Sequence, residues 1–135
     1  MKKRAPLPFE FVFDHLQSMQ LTRRHMFGCL ALYSGEKILL ILREKETATD
    51  DNGVWVATTS EHHESLRQDF PSLRSIRLFE TPVTGWQNLP ADDPSFETDV
   101  ARLCQRVIRG DPRIGKIPKK KKKKLISRKK AHSRR

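Results

Sequence analysis

The sequence predicts an α+β domain, with an antiparallel sheet of about five short strands and an N-terminal, a middle and a C-terminal helix packed on it. Three observations point there. Apolar residues recur at helical spacing near both ends of the first 110 residues. Strand-sized apolar runs lie between them, separated by turn residues. The resulting order, α-β-β-β-α-β-β-α, describes an antiparallel sheet with helices packed on it.

Phe9, Val12, Phe13 and Leu16 share one helical face behind Pro6 and Pro8, which favour an extended start. Residues 26–33 (MFGCLALY) form an apolar strand, Ser34-Gly35-Glu36 a turn, and Lys37–Arg43 (KILLILR) the returning strand of a hairpin. The polar stretch 44–53 ends in Asp50-Asp51-Asn52-Gly53, a turn signal, and Val54–Thr58 supplies a third strand. Ser60 is placed to cap a helix with Glu61 and Glu64 in its first turn, which Pro71 ends. Ser75–Phe79 and Gly85–Leu89 read as two more short strands. In the last helix Asp92 or Asp93 caps, Pro94 suits the first turn, and Phe96, Val100, Leu103, Cys104, Val107 and Ile108 make the buried stripe. Gly110 and Asp111-Pro112 stop it.

Charge divides the chain sharply. Residues 119–135 (KKKKKKLISRKKAHSRR) hold eleven of the 27 Lys/Arg and none of the 16 Asp/Glu. The first 118 residues therefore balance sixteen cations against sixteen acids, and the pI near 10.1 belongs to the tail. This sets the boundary between a folded domain at 1–118, reached through the linker 114–118, and a Lys/Arg-rich extension at 119–135. With only Leu125, Ile126 and Ala131 apolar, that extension is expected to be disordered by itself. The longest apolar run, Ile38–Leu42, is far short of a membrane span, and the start carries no signal-peptide pattern. A cytoplasmic protein without stable membrane insertion is expected, with Cys29 and Cys104 as reduced, buried thiols.

The segment Arg23-Arg24-His25-Met26-Phe27-Gly28-Cys29-Leu30-Ala31-Leu32-Tyr33, followed by Gly35 and Lys37, resembles the opening of the TfoX N-terminal domain. Ser65-Leu66-Arg67, Pro71 and Trp86 are spaced as in the related YjbR group of small α+β domains. The resemblance implies a compact, DNA-binding-like domain with no catalytic residue set. Full TfoX proteins, which are linked to competence regulation, carry a second, helical domain, and the basic tail is expected to stand in its place here.

The residues that carry chemistry are few. Lys119, Lys120, Lys121, Lys122, Lys123, Lys124, Arg128, Lys129, Lys130, Arg134 and Arg135 can neutralise phosphates and release counterions, without an aromatic on which a base could stack. Arg23 and Arg24, ahead of the first strand, are placed to extend that basic surface from a sheet end, or else to sit in a solvated loop paired with nearby acids. His62 and His63 point about 100° apart on a helix and read as a polar face rather than a metal site. Asp50 and Asp51 read as turn residues rather than the start of a calcium loop. Trp55 and Trp86 read as sheet packing, with a small-molecule groove beside Tyr33 as a lesser option. No phosphate-loop, nucleophile-elbow or zinc-protease motif occurs, so neither an enzyme nor a cofactor is expected. The functional expectation is a non-catalytic protein whose tail contacts nucleic acid or another polyanion. The alternative is an accessory module whose tail binds an acidic protein, a ribosome or a membrane surface.

Overall fold

The computed structural model describes residues 8–26, 28–77 and 85–117. Its centre is a six-stranded antiparallel sheet in the order β1-β2-β3-β4-β6-β5. The strands are β1 (Thr22–Met26), β2 (Cys29–Ser34), β3 (Lys37–Arg43), β4 (Gly53–Ala57), β5 (Arg74–Ser75) and β6 (Trp86–Pro90). Three helices, α1 (Phe11–His15), α2 (His63–Asp69) and α3 (Phe96–Ile108), complete the α+β fold.

Strand alternation gives the sheet two buried faces. Leu30, Leu32, Leu40, Leu42, Val54, Val56 and Leu89 point to the face where Val12, Leu16, Leu66, Phe70, Val100, Leu103 and Cys104 pack. Cys29, Ala31, Tyr33, Ile41, Trp55 and Ala57 point to the other face, joined by Ile76, Met26 and Trp86. Burial on both sides is why β2 to β4 read as continuous apolar runs rather than alternating ones.

α3 buries Phe96, Val100, Leu103, Cys104 and Val107 of the expected stripe, and burying a Val or Leu side chain contributes about 1.5–3 kcal/mol. Ile108, expected inside, is instead 43% exposed at the helix's last turn. Phe9 and Phe11 of the N-terminal segment meet Phe96 edge-on, at ring-centroid distances of 5.1 and 5.9 Å. Gly110, at φ 75°, ends the helix: its N–H bonds to the Val107 carbonyl and that of Asp111 to the Arg106 carbonyl. This paired closure satisfies two of the helix's last carbonyls. The cap at the other end differs from expectation. Ser95 occupies the cap position without a side-chain bond, and Asp93 instead accepts the Ser95 N–H at 2.8 Å. Ser60 likewise opens a 3-10 turn, Ser60–His62, rather than capping α2.

Other boundaries also shift. The first helix is one short turn, Phe11–His15. The strand expected to begin at Met26 is two strands, since Thr22–Met26 already pairs with β2 from Thr22↔Tyr33 to Met26↔Cys29. The strand expected over 75–79 pairs only at Arg74 and Ser75, and residues 78 and 79 lie outside the described part. The expected linker 114–118 is partly structural: Ile114 is buried, the Gly115 N–H bonds to the Ala57 carbonyl, and Lys116 pairs with Ile38 at 2.8 and 2.9 Å. Residues 119–135, and with them the expected disorder of the extension, lie outside the described part. Among the described residues no helix is long and apolar enough to cross a membrane.

Candidate functional site

β1 carries the candidate residues that the structure describes. It is the outermost strand on one side of the sheet, and its first four residues, Thr22, Arg23, Arg24 and His25, are exposed. Arg23 and Arg24 are therefore strand residues on an edge, not loop residues before a strand. Alternation sends them to opposite faces. Arg23 lies opposite Leu32 and holds its guanidinium 4.2 Å from the centre of the Phe13 ring, on the helix side. Arg24 lies opposite Ala31 and sits 4.9 Å from the centre of the Tyr33 ring, on the other side. Stacking on a ring fixes each guanidinium while leaving its N–H donors at the rim of the plane. No acid among the described residues lies within ion-pair distance of either.

Several other arginines of the domain are occupied internally. Arg67 donates to the Gln87 side chain at 2.8 Å. Arg74 pairs with Asp51 at 3.2 Å and also donates to the Ser75 and Asp50 carbonyls. Arg113 binds Asp111 at 2.7 Å, Asp69 at 2.8 Å and Ser65 at 2.8 Å, clamping α2 to the segment after α3. That clamp holds the Asp111 carboxyl below its ordinary range, chiefly through the Arg113 hydrogen bond. Arg43 is buried without an acid and donates instead to the Ala48 and Thr47 carbonyls and to Asn52, which organises the loop 44–52. Arg23 and Arg24 thus do not join Arg67 and Arg74 in one basic face.

Two motifs change meaning in three dimensions. Asp51 is 1% exposed. Both its carboxylate oxygens accept the Arg77 N–H, at 3.1 and 2.9 Å, so the turn residue secures a segment 26 residues away. His63 is buried, not on a polar helix face, and its Nε2 has no hydrogen-bond partner among the described residues. Burial lowers its pKa, opposed by a hydrogen bond to the Gly85 backbone and reinforced by Arg67 and His62.

The remaining candidates are packing residues. Trp55 is fully buried, donates Nε1–H to the Asp51 carbonyl at 2.8 Å, and stacks at a tilt on half-buried Trp86, 5.9 Å away. Tyr33 is buried in the same cluster. Burial raises both thiols, Cys104 to about 12, while Arg43 and Lys45 partly offset the rise at Cys29. Such thiols carry protons at neutral pH and are poor nucleophiles. Among the described residues no three His, Cys, Asp or Glu side chains gather as a metal site.

The tail cations lie outside the described residues, but the point from which they depart is fixed. One register row runs Thr22–Tyr33–Ile38–Lys116, so the chain leaves the sheet three strand spacings, roughly 15 Å, from the start of β1. No family model, curated protein or solved structure matches this chain.

Proposed function

We propose that this chain is a non-catalytic, TfoX-like cytoplasmic protein that associates with nucleic acid through its basic C-terminal extension, in a regulatory or accessory role. The observation that carries this reading is the charge partition: eleven cations without an acid in residues 119–135, attached to a domain of zero net formal charge. Such an extension neutralises phosphates in a row and gains affinity from counterion release, without reading sequence. The geometry adds support at its root. Seventeen residues can span up to about 60 Å when extended, so the extension reaches the β1 edge easily, and Arg23 and Arg24 stand there without acidic partners among the described residues.

The test is fluorescence anisotropy with labelled duplex DNA and structured RNA across a salt series. Wild-type chain is compared with chains in which lysines 119–124 are replaced by serine. Wild type should bind both with a steep salt dependence. Removing six of the eleven cations should reduce the slope of log K against log salt by up to about five, at about 0.9 for each duplex phosphate left without its cation. An unchanged slope, or no binding by wild type at 50 mM salt, refutes the reading.

A further inference from the structure

The β1 edge is a second, separate surface, and we infer that it accepts an acidic, extended peptide segment as a seventh strand of the sheet. The sheet has two ends, and they differ. β5 is two residues long, which limits pairing on that side. β1 is five residues without proline, glycine or a break in its register with β2, so it presents a regular ladder of outward N–H and carbonyl groups on alternate residues. Such an edge is a template for strand addition.

Its side chains say which strand. Arg23 and His25 project to the helix face and Arg24 to the opposite face, so the edge is cationic on both sides of the sheet. A second copy of this chain would set Arg23, Arg24 and His25 against their own kind, which disfavours pairing of like edges. A polyanion lying on one face of the sheet reaches one arginine of the pair. An added strand alternates as β1 does, so two consecutive acidic residues in it meet Arg24 on one face and Arg23 on the other. Phe13 and Tyr33 already hold both guanidinium groups in place, which lowers the ordering cost of that contact.

The experiment uses the full chain and an end-blocked, labelled peptide, Thr-Val-Thr-Glu-Glu-Val-Thr-Val, in anisotropy titrations. Two further peptides carry N-methyl groups on all odd or all even residues. Strand addition uses the N–H groups of one set, so one methylated peptide should lose binding at least tenfold while the other keeps it. Arg23→Glu/Arg24→Glu should weaken the unmodified peptide by roughly tenfold or more, given up to about fivefold for each cross-strand charge pair and added repulsion. Moving one Glu so that both fall on the same face should cost part of this. Both arginines are exposed, and an unchanged urea midpoint confirms that the double variant is folded. Binding that ignores both methylation patterns and the double substitution is tail electrostatics and overturns the inference. So does the absence of binding at millimolar peptide, or a double variant that loses duplex DNA but not peptide.

Discussion

Replacing Asp51 with alanine should destabilise the protein by about 3 kcal/mol and loosen one segment in particular. The carboxylate is 1% exposed and accepts the Arg77 N–H on both oxygens. A hydrogen bond to a buried charged group contributes about 1.5–3 kcal/mol. The ion pair to Arg74 adds less, about 1 kcal/mol at most, because that arginine's side chain is 25% exposed and keeps the Ser75 and Asp50 carbonyls as acceptors. Asp51→Asn should recover part of the loss, since one oxygen still accepts from Arg77. The Trp55 hydrogen bond uses the Asp51 main-chain oxygen and survives both changes. Urea unfolding at pH 7 measures the total. Amide hydrogen exchange locates it, with Ile76 and Arg77 expected to exchange faster while β2 and β3 keep their protection relative to the lowered global limit. A loss under 1 kcal/mol, or exchange that rises uniformly, would show that Asp51 is only a turn residue.

Gly53→Ala should cost more than about 3 kcal/mol in the same assay, because Gly53 has φ 149° and a Cβ there would collide with the Leu89 carbonyl across the β4–β6 pairing. His63 should make stability fall on mild acidification. Its folded pKa lies below the ordinary 6.5, so the unfolded chain takes up a proton first, and stability drops as pH falls through 6.5 towards the folded value. The slope should approach at most about 1.4 kcal/mol per pH unit, and His63→Leu should flatten urea midpoints between pH 7.5 and 5.5. Asp111 acts in a lower window: its depressed pKa contributes stability above the ordinary value of 3.8 that is lost as pH falls through the folded one. Arg113→Met should cost about 2 kcal/mol at pH 7, since it strips partners from partly buried Asp111 and Asp69, and should shrink the loss seen between pH 5 and 3.

What the sequence made legible was burial. β2 to β4 and α3 announce themselves because their apolar residues face other apolar residues, and period then follows from geometry. β1 was invisible for the complementary reason. Thr22, Arg23, Arg24 and His25 are held by backbone pairing on one side only and bury almost nothing, so no apolar alternation marks them. The arginine pair stands out in the sequence as charge, and nothing around it distinguishes an edge strand from a loop. Ile114 was hidden differently: a single apolar residue between Arg113 and Gly115 has no periodicity, yet it is in the core and ties the chain back to the sheet.

Counting charges also differs from knowing where they are spent. Arg43, Arg67, Arg74 and Arg113 resemble Arg23 and Arg24 in the sequence, but each has at least one donor engaged by a carbonyl, amide or carboxylate of the same domain. Withdrawing such a group to meet an external phosphate would break hydrogen bonds already made, so it adds little to a nucleic-acid footprint. Among the described residues, Arg23 and Arg24 give up only a ring stack if they turn outward. The electrostatics therefore divide into two parts with different tests. Affinity for a polyanion should follow the number of tail cations and collapse with salt. Recognition at β1 should depend on backbone pairing as well as charge, and should retain its sensitivity to N-methylation at salt concentrations where the tail no longer binds.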